Sequence, residues 1–179
     1  RAPALRGKHV GRCAGWLAVA IALGVTPAAA QTGDDVLLDA SKGEIPAPVI
    51  KQVACGTDPG TVTRKPFAGG HVFLWQCPGN HANWIQAVIF ATREDGADAR
   101  LLTFPQAGKR SAAEELSNIR WFTARNELTS LFVDPETRIC RTEGRWRLEG
   151  TRSVPRLIFW RETRDCNGKR GWRTLVDRR

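Results

Sequence analysis

Residues 138–179 read RICRTEGRWRLEGTRSVPRLIFWRETRDCNGKRGWRTLVDRR, and this stretch carries the clearest fold information in the chain. Apolar and charged residues alternate within it, so Trp146 and Leu148 are expected on one side of a strand and Arg145 and Arg147 on the other. This pattern is typical of short antiparallel strands with one buried face and one arginine-rich face. We therefore expect the fold to be organised around this segment.

A second strand is expected over residues 156–162, followed by a turn at Asn167-Gly168 and a last strand near Trp172. Strict alternation predicts two faces for the strand 156–162, with Leu157, Phe159 and Arg161 on one side and Arg156, Ile158, Trp160 and Glu162 on the other.

The rest of the chain also indicates a β protein. Further strands are predicted over residues 48–55, 61–64, 71–77, 82–92, 99–104, 118–123 and 128–133. The Asp95-Gly96 dipeptide between two apolar runs predicts a hairpin, and the spacing of Ser111 and Glu114 predicts a short helix. The expected fold is mainly β, an antiparallel sandwich or open barrel with one short helix and two disulfides.

The N-terminal segment has the pattern of a secretory signal. Basic residues precede the apolar run 13–25, and Ala28 and Ala30 form a cleavage pattern of small residues. We therefore predict a signal peptide over residues 1–30, a flexible arm over 31–46 and a single domain over 47–179. The alternative is an uncleaved anchor, for which 13 apolar residues are short. The expected location is periplasmic or secreted.

Four cysteines follow the predicted cleavage site: Cys55, Cys77, Cys140 and Cys166. An even number of cysteines in an exported chain predicts disulfides, and four cysteines allow three pairings. Proximity along the chain favours the pairs Cys55–Cys77 and Cys140–Cys166.

Two histidines lie near the first cysteine pair. Together, Cys55, His71, Cys77 and His81 contain the ligand types of a tetrahedral zinc site, although only the last two residues have metal-ligand spacing. The competing prediction is a structural disulfide. No nucleophile–base motif of a known hydrolase class accompanies the histidines.

Positive charge is concentrated at the C-terminal end. From residue 138 onward there are 13 Lys/Arg against 5 Asp/Glu, whereas residues 31–137 carry 10 against 13. Arginines interleaved with tryptophans favour anion recognition and cation–π stacking. The candidate ligand-binding residues are Arg145, Arg147, Arg156, Trp160 and Arg173. The competing interpretation is a solvated arginine face over a tryptophan core.

The C-terminal motifs resemble those of a family of secreted proteins from Gram-negative bacteria. They comprise Cys140, the step Trp146-Arg147-Leu148-Glu149-Gly150, the triplet Cys166-Asn167-Gly168, and Trp172 with Leu175. Leu74-Trp75 followed by Cys77 and Asn83 resembles a further feature of that family. The family is catalogued only as a domain of unknown function. The resemblance covers residues 70–179, and it implies a periplasmic location and supports the cysteine scheme.

These observations predict an exported, non-enzymatic binding module that uses its basic C-terminal face. The expected partner is an anionic envelope component or a protein, and no nucleic acid or cofactor is expected. No membrane-spanning segment is expected after the leader is removed. Two alternatives stay open: a metal-dependent enzyme using His71 and His81, and an inhibitor of a hydrolase.

Overall fold

The computed structural model describes residues 35–39, 42–53, 61–67, 69–80, 82–163, 165–166 and 171–178. The predicted signal peptide, Cys55, His81 and the Asn167-Gly168 turn lie outside these residues. The described strands form two antiparallel sheets. The predicted fold class, a mainly β antiparallel sandwich or open barrel, is therefore confirmed.

The N-terminal sheet has the strand order β1-β2-β3-β4-β5, and β6 also pairs with β4. Its strands are β1 (Val36–Leu38), β2 (Thr61–Phe67), β3 (Gly70–Asn80), β4 (Asn83–Ala91), β5 (Arg100–Leu101) and β6 (Glu115–Ser117). The predicted hairpin around Asp95-Gly96 is confirmed, since β4 pairs antiparallel with β5. Gly96 has a φ of +65° in this turn, a conformation that glycine adopts without strain.

The C-terminal sheet has the order β11-β10-β9-β8-β7. Its strands are β7 (Arg120–Phe122), β8 (Glu127–Val133), β9 (Arg141–Glu149), β10 (Val154–Thr163) and β11 (Trp172–Asp177). Each strand pairs antiparallel with the next one along the chain, and the pairing of β10 with β11 agrees with the predicted return of the chain toward Trp172.

The main core lies between the two sheets. Leu74 and Phe90 of the N-terminal sheet pack in one buried cluster with Leu128 and Trp146 of the C-terminal sheet. Trp146 and Leu148 both belong to this cluster, which confirms the predicted inward face of β9. Burial of these large apolar side chains supplies most of the driving force for joining the sheets.

A second buried cluster lies on the other face of the N-terminal sheet. It joins Phe73, Trp75 and Cys77 of β3 to Val49 of helix α1 (Ala47–Ile50). Cys77 therefore belongs to a buried cluster that contains two aromatic residues. Residues on both faces of β3 are buried, which explains why its sequence is apolar on both faces.

The segment predicted as a flexible arm takes part in this packing. Strand β1 pairs with β2, so that Leu37 lies opposite Thr63. Ile45 is buried in the second cluster. Residues 36–38 thus extend the N-terminal sheet as an edge strand, and Leu38 and Ile45 contribute to the cluster on its outer face.

Two local predictions were wrong. Residues 111–119 do not form a helix, because Ala113 pairs with Phe104 and β6 completes the edge of β4. Pairing with an open sheet edge outweighs a local capping pattern. Residues 48–50 are helical and not extended, with Pro48 in the first turn, where its ring is tolerated.

The predicted alternation of β10 is broken by a bulge. The register shifts between Leu157 and Phe159, so Leu157 pairs with Trp146 and Trp160 pairs with Gly144. Leu157 and Trp160 therefore share the inner face, although strict alternation predicted opposite faces for them. An extra residue in one strand has this effect, because it reverses the orientation of the side chains that follow.

The Cys140–Cys166 disulfide is confirmed, with the two Cα atoms 4.6 Å apart. It is the one complete disulfide among the described residues. Cys77 is also disulfide-bonded. Its predicted partner, Cys55, lies outside the described residues, so the pairing Cys55–Cys77 stays a prediction.

Candidate binding face on the C-terminal sheet

The outer face of the C-terminal sheet is the face directed away from the N-terminal sheet. On β9 it carries Arg145, Arg147 and Glu149, as alternation predicted. Neither buried cluster of the described residues includes a side chain from this face.

A strip of stacked side chains crosses this face. The Arg145 guanidinium lies 5.5 Å from the centre of the Phe159 ring. Arg161 lies 5.8 Å from the same ring and 4.3 Å from the Trp172 ring. We call these four residues the arginine–aromatic strip. Such cation–π contacts hold the guanidinium groups close to the rings and limit their rotamers.

Most arginines near the strip have an acidic partner on a neighbouring strand. The ion pairs are Arg147 with Glu127 at 2.8 Å, Arg156 with Glu149 at 3.2 Å, Arg161 with Glu143 at 2.5 Å, and Arg173 with Glu162. The excess of positive charge in the sequence is therefore largely neutralised where these strands meet.

Glu127 is an important residue that the sequence reasoning missed. Only 3% of its surface is exposed, and it receives hydrogen bonds from Arg147 while Arg125 lies 3.7 Å away. A buried carboxylate needs such partners because desolvation of its charge is costly. Glu127 lies directly opposite Arg147 where β8 pairs with β9. Aligning these two predicted strands was the available way to find the ion pair.

Arg145 differs from its neighbours. It makes no ion pair or hydrogen bond with any described residue, and its Nε atom is buried without an acceptor. Within the described part of the chain, Arg145 instead stacks on the Phe159 ring. Arg145 thus presents an uncompensated positive charge in a fixed position, which is the arrangement that suits a carboxylate or phosphate of a partner.

The five predicted ligand-binding residues do not share one surface. Arg145, Arg147 and Arg156 lie on the outer face, whereas Trp160 is directed into the core and is 6% exposed. Arg173 lies on the edge strand β11 and pairs with Glu162. The aromatic residues that do accompany the arginines are Phe159, which the bulge in β10 directs outward, and Trp172 of β11.

The zinc hypothesis is weakened by Cys77, which is disulfide-bonded and so does not supply a thiolate. His71 lies on β3 opposite Ala91, and no group of three potential metal ligands occurs among the described residues. His81 lies outside the described residues, so its predicted role is not tested.

The chain matches no family model, no curated protein and no solved structure in the three comparisons made. Within the described part of the chain, no helix has both the length and the apolar character needed to span a membrane. The Cys140–Cys166 disulfide is typical of proteins that fold in an oxidising compartment.

Proposed function

We propose that this chain is an exported, non-enzymatic binding module that docks a partner protein on the outer face of its C-terminal sheet. The observation that carries the proposal is Arg145, whose charge has no acidic partner among the described residues and whose guanidinium lies against the Phe159 ring. The partner surface would place a carboxylate against Arg145 and apolar side chains against Trp172.

A protein partner is favoured over a polyanion by the pairing of charges. A polyanion gains affinity from many uncompensated cations, but three arginines on this face, Arg147, Arg156 and Arg161, already hold glutamates. Aromatic residues and arginine at the centre, with polar groups around them, are typical of the energetically important part of protein interfaces.

The periplasm or the extracellular space is the proposed location. The Cys140–Cys166 disulfide and the signal-like pattern of residues 1–30 support it. An inhibitor of a hydrolase would be one form of such a module, since inhibition requires docking of a protein partner. No observation on the described residues favours a metal-dependent enzyme.

Photo-crosslinking tests the proposed docking face. A benzophenone amino acid would replace Thr174, an exposed residue opposite Arg161, in the full chain. This variant would be produced in the cells that make the protein. We expect one protein adduct. Affinity for the adduct partner should fall about 30-fold in Arg145→Ala, the size expected for a central arginine that loses its contact.

Arg156→Ala is the matched control, because Arg156 lies on the same face but is paired with Glu149. It should change affinity less than about 3-fold, as is usual for an exposed ion pair. The proposal is wrong if both variants weaken binding equally, or if the chain instead binds heparin or lipopolysaccharide with steep salt dependence and forms no protein adduct.

A further inference from the structure

The loop between Phe104 and Ala113 is held firmly at its base. The Phe104 N–H donates to the Ala113 carbonyl at 2.7 Å, and the Ala113 N–H donates to the Phe104 carbonyl at 2.9 Å. The buried Phe104 ring meets the Trp146 ring edge-on, with 5.4 Å between ring centres. The Trp146 indole N–H also donates to the Pro105 carbonyl at 2.8 Å. Residues 105–112 therefore project from a base that belongs to the main core.

The tip of this loop is exposed to solvent over five consecutive residues, 108–112. A turn at Gly108, whose φ is +70°, comes just before Lys109. Residues 110–112 follow this turn and belong to no helix or strand. The tip thus presents its side chains to solvent from a base that the core holds in place. Such an arrangement, a loop positioned by a rigid scaffold, is where binding residues of proteins are often found.

Two adjacent basic residues, Lys109 and Arg110, lie at this tip. Neither side chain makes an ion pair with a described residue, whereas most arginines of the C-terminal sheet hold a glutamate. Lys109 lines a cavity of about 390 Å³ at the opening between the two sheets, and Arg110 is not among the residues that line it. Arg110 is therefore the freer of the two side chains and the one available to enter a pocket on a partner.

The chemistry of the tip suits the specificity pocket of a trypsin-like serine protease. That pocket has an aspartate at its base, which pairs with the charged end of an arginine or lysine side chain. Ser111 and Ala112 follow Arg110 in the chain. Both residues are small and neither is proline, so they leave room around the peptide bond that the protease attacks. A polyanionic surface would instead require many uncompensated cations, and this tip has two.

We propose that the loop 105–112 inhibits a trypsin-like serine protease by placing Arg110 in its specificity pocket. The protease serine adds to the Arg110 carbonyl carbon and breaks the bond to Ser111, and the serine proton passes through the protease histidine to the departing amine. That amine stays beside the acyl-enzyme, because the pairing of Phe104 with Ala113 still holds both ends of the loop. Its attack on the acyl group restores the chain, so the complex persists.

Trypsin is the probe for this inference. Its activity on a small chromogenic arginine amide would be measured while the full chain is added. We expect one chain to abolish the activity of one trypsin molecule, and mass spectrometry should show that most of the bound chain is intact. Rapid cleavage after Arg110 without loss of trypsin activity, or no effect on trypsin at all, would overturn the proposal.

Arg110→Leu tests the contact with the specificity pocket, because leucine has no charge to pair with the aspartate. We expect the inhibition constant to rise about 100-fold, the size seen for a central interface arginine that loses its contact. Arg110→Lys should stay within about 10-fold of the natural chain, since an ammonium group also pairs with a carboxylate. Arg110 is exposed, so both variants should keep the unfolding midpoint of the natural chain.

Lys109→Leu is the matched control, because it removes the neighbouring charge from the same tip. It should change the inhibition constant less than about 3-fold. Arg145→Ala should inhibit like the natural chain, since Arg145 lies on the outer face of β9 whereas Trp146 supports the loop from the inner face. The proposal is wrong if Lys109→Leu or Arg145→Ala weakens inhibition as much as Arg110→Leu, or if Arg110→Leu inhibits as well as the natural chain.

Discussion

At the scale of single residues, the role of each arginine depends on which side chains surround it. Arg147 is neutralised by the buried Glu127, whereas Arg145, two residues earlier, contacts the Phe159 ring and has no acidic partner among the described residues. The sequence distinguishes these two arginines only by position. Their different electrostatic states arise from the strands placed beside them.

The turn after β4 contains another arginine, Arg93, whose effect on the pKa of a nearby carboxylate can be measured directly. The Arg93 guanidinium bonds to the Asp95 carboxylate at 2.6 Å, and the Ala97 backbone N–H donates to the same group. The Arg93 contact, followed by the Ala97 bond, lowers the pKa of Asp95 from its usual 3.8 to about 2. Each interaction favours the ionised carboxylate.

The pH dependence follows from the sign of this shift. Because the pKa of Asp95 is lower in the folded state, the ionised carboxylate stabilises the fold above about pH 4, and this contribution is lost as the pH falls toward 2. An NMR titration of the Asp95 carboxyl carbon should give a pKa of about 2. In Arg93→Ala the pKa should rise toward the ordinary value.

The control for this titration is Arg64→Ala. Arg64 pairs at 2.6 Å with Glu94, the residue before Asp95. The variant therefore removes a neighbouring ion pair and leaves the Arg93 contact intact. The pKa of Asp95 should stay low in this variant. A low pKa that persists in Arg93→Ala would show that the backbone bond dominates.

At the scale of elements, the β9–β10 hairpin organises the C-terminal sheet. The hairpin holds the bulge that directs Trp160 inward and Phe159 outward. Its open end is closed by the Cys140–Cys166 disulfide, whose cysteines are 26 residues apart in sequence. The disulfide thus restrains two of the strands that supply the proposed docking face.

Removing this disulfide should destabilise the protein. In the double variant Cys140→Ser/Cys166→Ser, we expect the free energy of unfolding in urea to fall by about 3 kcal/mol, because the unfolded chain regains the entropy of the closed loop. The double variant is preferable to a reductant, since Cys77 is also disulfide-bonded. A change below about 0.5 kcal/mol, within the usual range for surface substitutions, would mean that the strands need no such restraint.

At the scale of the whole molecule, side-chain amides join the two sheets along one edge. Asn83 of β4 is 2% exposed, and its amide donates to the Val133 carbonyl at 2.7 Å and accepts from the Val133 N–H at 2.9 Å. Asn118 extends this network to the Leu131 carbonyl at 2.9 Å. One asparagine side chain thus replaces part of a strand pairing between the sheets.

Asn83→Ala should break this connection. The substitution leaves the part-buried N–H and carbonyl groups of Val133 without their partner, so we expect a loss of about 3 kcal/mol in the free energy of unfolding. Urea denaturation followed by circular dichroism would measure it. Gln106→Ala, at an amide residue outside this network, should cost less than about 1 kcal/mol. Equal losses would show that the Asn83 network contributes nothing specific.

Much of the fold was predictable because it depends on local pattern. The β4–β5 hairpin, the strands β7 and β8, the inward face of β9 and the Cys140–Cys166 pair all followed from alternation, turn residues and spacing. The failures occurred where a distant element determined the outcome. Residues 115–117 are extended because the edge of β4 was open to them, which no local pattern reveals.

The amino-acid sequence by itself determined that this is a mainly β, antiparallel protein with a disulfide near its C-terminal end and an arginine-bearing strand face. Only the tertiary structure decided which arginines are neutralised, on which face Trp160 lies, and that a cavity remains between the sheets. The physical reason is the distance along the chain over which each kind of interaction acts. Alternation and turn chemistry act over a few residues, whereas ion pairing, a strand bulge and core packing depend on partners far away in the chain.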